Sequence, residues 1–226
     1  MGWFNRTKYY DRSRIIREAT HARAKQRWKK AIALYRRVLA VEPHDTQLHA
    51  KIAPMLARTG QHFDAMLSFR VVAKAFLRER RGNEALAVYR AATGHLPREI
   101  QIWESIARLE VKRGDSQAAV EALIEGASKF KSRRHRPQAI HLLRNAHEVE
   151  PWDFEATFEL ARLLGKSDRI EEARRLLDGL AERNGDCLRR LMAAQFRLDG
   201  DLRYGWRWLR AEARPLAEAP YGPGRI

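Results

Sequence analysis

A chain of 226 residues, 45% hydrophobic and 32% charged, is long enough to bury a core as one elongated domain or two small ones. Its single cysteine, Cys187, excludes a disulfide framework and a cysteine-based metal site. The formal charge of +16 suits anionic partners, and it is unevenly spread: residues 1–40 carry twelve Lys or Arg against Asp11 and Glu18, a net of +10.

The N-terminal stretch MGWFNRTKYY lacks the apolar core of a signal peptide and fails the myristoylation pattern at Arg6. No apolar run reaches the length of a membrane span, so the expected location is cytoplasmic. Residues 1–10 read as a basic and aromatic extension, and 11–213 as one helical repeat domain. Apolar residues recur with helical spacing, and no segment alternates with period two for long enough to form a strand. Helices are predicted near 11–25 and 28–41. Three more follow at 46–59, 62–81 and 83–95, broken at Thr59-Gly60 and at Gly82-Asn83, with Asn83 as the expected N-cap. The next three fall at 99–113, 116–131 and 137–149. Asp115 is the expected cap of the second, and Pro137 sits at a tolerated first-turn position of the third. Helices near 153–165, 168–183, 186–198 and 201–213 complete the series. The Pro- and Gly-rich tail, 214–226, reads as disordered.

Proline followed by one residue and an acid occurs at Pro43, Pro97 and Pro151, at 54-residue intervals. Residues 44–97 and 98–151 align without a gap, with 12 of 54 positions identical. Ile52/Ile106, Ala53/Ala107, Gly60/Gly114, Ala65/Ala119, Ala73/Ala127 and Phe76/Phe130 are among the matches. A third copy keeps Ala161, Ala173, Ala181 and Ala193, and a partial first copy has Ala19, Ala31, Tyr35 and Pro43. Small residues at fixed intervals mark close helix approaches, because larger side chains would push the backbones apart. Proline ends each unit because it lacks an N–H and clashes with the preceding turn. The expected fold class is therefore all-α, an α-solenoid of stacked antiparallel helices with a 54-residue three-helix repeat.

Within each unit the pattern resembles the tetratricopeptide repeat (TPR) family, a 34-residue helical hairpin. The segment 66–99 carries it as Ala73-x-x-Phe76, Ala85-x-x-x-Tyr89 and Pro97. The segment 120–153 carries Ala127-x-x-Phe130, Ala139-x-x-x-Leu143 and Pro151. The resemblance implies a non-catalytic adaptor whose first helices line a concave groove. Carried onto this sequence, the groove would present Arg70, Lys74 and Arg78, then Arg108 and Lys112, then Arg162 and Lys166. Repeated cations there favour an acidic or extended protein segment as partner.

Enzyme motifs are missing from the sequence: the eight histidines are scattered, and there is no phosphate-binding loop or nucleophile elbow. No cofactor, metal or small-molecule substrate is expected. The stretch KFKSRRHRP forms a second candidate surface, with Lys129, Lys131, Arg133, Arg134 and Arg136 and no acid between Glu125 and Glu148. An alternative reading has this loop and the basic N-terminal region gripping nucleic acid. A membrane-surface scaffold held by the N-terminus ranks third. Trp206 and Trp208, near the end of the array, are expected to close its apolar face, with one left as an anchor.

Overall fold

A computed structural model describes residues 10–183 and Ala194. The predicted helices at 186–198 and 201–213, the tail, and the expectations for Cys187, Trp206 and Trp208 lie outside the described residues. Ten α-helices and one 3₁₀ turn follow in order: α1 (Arg12–Ala24), α2 (Trp28–Leu39), α3 (Thr46–Arg58), α4 (His62–Arg78), α5 (Gly82–His95), α6 (Ile100–Lys112), α7 (Ser116–Ser128), the 3₁₀ turn (Arg133–His135), α8 (Arg136–Val149), α9 (Phe154–Gly165) and α10 (Ile170–Arg183). No strand occurs among the described residues. Helices α3, α6 and α9 begin at Thr46, Ile100 and Phe154.

The chain forms two compact units, Met1–Leu109 and Glu110–Ile226. In the first, α1 packs on α2, α2 on α3, and α4 on both α3 and α5. Its core holds Tyr35, Leu48, Ile52 and Leu56 among fully covered alanines such as Ala19, Ala31, Ala65 and Ala85. In the second, α7 packs on α8, α8 on α9, and α9 on α10, over Leu123, Leu142, Leu143, Leu160 and Leu164. The repeated alanines sit where helices meet, as close packing requires.

The acid that follows Pro43 and Pro151 has a local cause. Asp45 and Asp153 accept hydrogen bonds from the amides of Leu48 (3.0 Å) and Ala156 (2.8 Å), capping α3 and α9. Asp115 caps α7 in the same way, through the Ala118 amide at 2.9 Å. The proline carbonyls are also engaged six residues on: Pro43 by His49, Pro97 by the Trp103 indole N–H, and Pro151 by the Thr157 hydroxyl. Arg12 of α1 reaches Glu42 at 2.9 Å and Asp45 at 2.6 Å, tying the first helix to the α2–α3 corner.

Two boundaries differ from expectation. Helix α4 stops at Arg78, because Arg80 turns left-handed (φ +59°) and the Arg81 amide returns to the Phe76 carbonyl at 2.9 Å. Arg81 therefore occupies the N-cap position of α5, and Asn83 lies exposed inside its first turn. Helix α7 stops at Ser128, short of residue 131, because Phe130 folds into the core and Ser132 takes an extended backbone.

Candidate binding surfaces

The early end of α7 opens a cavity of about 490 Å³ in the second unit. Its floor is apolar, formed by Ile124, Phe130, Leu143 and Leu163 with the small Ala127 and Ala139. Its rim carries four cations, Lys131, Arg136, Arg162 and Lys166, and two acids, Glu155 and Glu159. Lys131 and Arg136 belong to the predicted basic loop, Arg162 and Lys166 to the predicted groove set. The fold thus joins two groups that the sequence kept apart.

These cations are not equivalent. Arg162 is held by Glu159 through its Nε at 3.0 Å and through a closer Nη2 contact. Those hydrogen bonds, partly opposed by burial, raise its pKa above the ordinary arginine value. Arg136 donates to the Lys166 carbonyl, which is one of the unsatisfied carbonyls at the end of α9. Lys131 and Lys166 are exposed and make no ion pair among the described residues. They remain available to an anion at the mouth of an apolar hollow.

The other predicted cations lie elsewhere. Lys129 caps the end of α7 and pairs with Glu125 at 3.0 Å. Arg133 and Arg134 are exposed on the 3₁₀ turn. On α4, Arg70 is half-buried, while Lys74 and Arg78 are exposed. Arg108 and Lys112 are exposed on α6. Sequence reasoning missed Glu155 and Glu159. Their spacing from Arg162 on one helix, seven and three residues, was the available signal. Among the described residues, no group of three or more His, Cys, Asp or Glu could hold a metal ion. No helix among them is long and apolar enough to cross a membrane.

Sequence profiles described as tetratricopeptide repeat match residues 16–76, 71–132 and 133–195. The chain belongs to the tetratricopeptide repeat family, and its fold class is the all-α helical-repeat solenoid. Repeats of this kind are protein–protein interaction scaffolds. No curated protein sequence matches the chain. Among solved structures, it is similar to kinesin light chain TPR-like repeats of Podosopora anserina, with 15% identity over 88% of this chain and 91% of that one, TM-score 0.38. It is also similar to MamA, at 14% identity over 79% and 97% of the two chains, TM-score 0.27. A third is human IFIT1 crystallised with m7Gppp-AAAA, at 15% identity over 84% and 55%, TM-score 0.33.

Proposed function

We propose that the chain is a non-catalytic interaction scaffold that takes an acidic, extended segment of a partner protein, with the second-unit cavity as its main acceptor. The observation that carries this reading is the pairing of an apolar floor with two uncommitted lysines, Lys131 and Lys166. An apolar side chain of the segment fills the hollow over Phe130 and Leu143. A neighbouring carboxylate meets the lysines, and the two glutamates select against a uniformly acidic tract by repulsion. The cations Arg70, Lys74, Arg78, Arg108 and Lys112 extend the same preference along their own helices.

The test is fluorescence anisotropy with a short labelled peptide alternating Glu and Leu, beside Glu/Ser and Lys/Leu counterparts. Binding of the Glu/Leu peptide alone is expected. Lys131→Glu/Lys166→Glu should weaken it by about tenfold or more, roughly 1.4 kcal/mol. If Arg70→Glu/Lys74→Glu/Arg78→Glu carries the loss instead, the acceptor is α4 and the cavity assignment fails. If the Lys/Leu peptide binds as well as the Glu/Leu peptide, the preference for acids fails with it.

A further inference from the structure

The tip of the α1–α2 hairpin holds Arg23, Lys25, Arg27, Lys29 and Lys30 within eight residues, and all five are exposed. None of them forms an ion pair among the described residues. No acid occurs in the sequence between Glu18 and Glu42. Three other helix–helix turns each hold an arginine in an ion pair. Arg81, between α4 and α5, is held by Glu79 and Glu84 at 3.1 and 2.9 Å. Arg113, between α6 and α7, is held by Glu110 at 2.8 Å, and Arg169, before α10, by Glu172.

The arrangement also works against its own helix. Arg27 sits at the N-cap of α2 without a capping hydrogen bond, and Lys29 and Lys30 fill a first turn that contains no acid. Cations at that end oppose the helix dipole. Lys29 and Lys30 thus cost local stability at the start of α2, whereas Arg23 and Lys25 stand at the favourable C-terminal end of α1.

The patch also lacks an apolar anchor. No large hydrophobic side chain is exposed between Asp11 and Ala40. Trp28 is half-buried with the Arg58 guanidinium 5.4 Å from its ring centroid, so its face is occupied. Tyr35 is fully buried and its hydroxyl lies 3.3 Å from that of Thr20. Interfacial membrane helices need an apolar face, and protein hot spots need buried aromatic or apolar anchors. A surface of dense, uncompensated cations with neither feature matches a partner whose own surface is a dense line of anions, of which the nucleic-acid backbone is the clearest case.

We propose that the α1–α2 tip is a contact surface for the phosphate backbone of a nucleic acid, bound without regard to base sequence. The site is separate from the second-unit cavity and does not rest on the scaffold reading. It offers five cations to backbone phosphates, and each contact made releases condensed counterions.

The test uses the full chain and a labelled DNA duplex of mixed sequence, by anisotropy at about 50 and 200 mM KCl. If all five cations engage, affinity falls about 500-fold between those salts. Lys25→Gln/Arg27→Gln/Lys29→Gln/Lys30→Gln should reduce that fall to about fourfold, the dependence of a single contact. Arg133→Gln/Arg134→Gln, in the other cationic loop, should leave the fall unchanged. Circular dichroism checks that both variants keep their helices. The proposal is overturned if no duplex binds at the lower salt, or if the salt dependence moves with the second variant and not the first. Polyglutamate binding as tightly as the duplex would make the partner an acidic protein surface. Phosphatidylserine vesicles capturing a chain that ignores the duplex would make it a membrane. Either result also overturns the proposal.

Discussion

The connector between α4 and α5 and the connector between α7 and α8 stand 54 residues apart in the chain, yet they are built differently. In the first, α4 runs to Arg78, and a short turn with one left-handed residue, Arg80, leads directly into α5. Phe76 stays in the helix, and the Arg81 guanidinium lies 4.7 Å from its ring centroid while pairing with Glu79 and Glu84. In the second, α7 ends four residues earlier in register, and Phe130 leaves the helix and is buried. His135 takes the place of Arg81 beside that ring, tilted at 6.5 Å. The two glutamates are replaced by Arg133 and Gln138. One connector closes on itself electrostatically, while the other leaves an opening with cations at its edge. The two connectors thus fall at matching places in the chain, and a few differing residues decide whether the result is a closed turn or an open cavity with a cationic rim.

The largest effect that separates them is the burial of the phenylalanine. Phe130 is 6% exposed, whereas Phe76 keeps part of its ring in solvent. Phe130→Ala is expected to cost about 3 to 5 kcal/mol, and Phe76→Ala about 1 to 2 kcal/mol. Urea unfolding of both variants measures this directly. Equal costs would show that Phe130 is not what shapes the second connector.

A smaller difference lies at the proline corners that follow. At Pro97 the partner is the Trp103 indole, which does not titrate. At Pro151 it is the buried Thr157, whose hydroxyl also lies 2.9 Å from His147 Nδ1. Burial lowers the His147 pKa below its ordinary value, with Glu148 opposing the shift. The folded state therefore prefers neutral imidazole. That stability is present above about pH 6.5, the unfolded value, and is lost as pH falls below it. The urea midpoint should fall from pH 7.5 to pH 5.5, and part of that fall should vanish in His147→Gln. The fall should be smaller than the cost of Phe130→Ala. An unchanged pH profile in the variant would assign the loss to other groups.

Much of the fold was legible because turn chemistry is local. Gly60, Gly114, Asp115 and Pro137 mark boundaries that the structure places within a few residues of expectation. Asn83 failed as a cap because the chain reversed one turn earlier, around the left-handed Arg80, and an arginine at such a position carries no sequence signal. The candidate site was only half legible. Lys131, Arg136, Arg162 and Lys166 were each singled out, but in two separate sets. Their convergence depends on α7 stopping at Ser128 and on Arg136 reaching the end of α9, which are tertiary facts. Arg162 read as an open groove cation, although the acid three residues before it already named its partner.

The smallest expected effect concerns the turns shared by both units. Gly60 and Gly114 adopt φ +79° and +83°, and the corresponding third position is Asp168 at φ +59°. In each turn the following amide returns to a carbonyl five residues back: Gln61 to Leu56, Asp115 to Glu110, and Arg169 to Leu164. The left-handed residue is required by this closure, and a side chain there costs backbone energy. A Cβ at Gly60 or Gly114 would meet nothing within 4 Å, so the penalty there is conformational and not steric crowding. Gly60→Ala and Gly114→Ala should each lose about 1 kcal/mol. Asp168→Gly should gain about 0.5 kcal/mol, because the strain it relieves is partly offset by the greater freedom glycine gives the unfolded chain. Thermal melts of the three variants decide the matter. If Asp168→Gly is destabilising, the aspartate side chain contributes to its turn something that the two glycine turns do without.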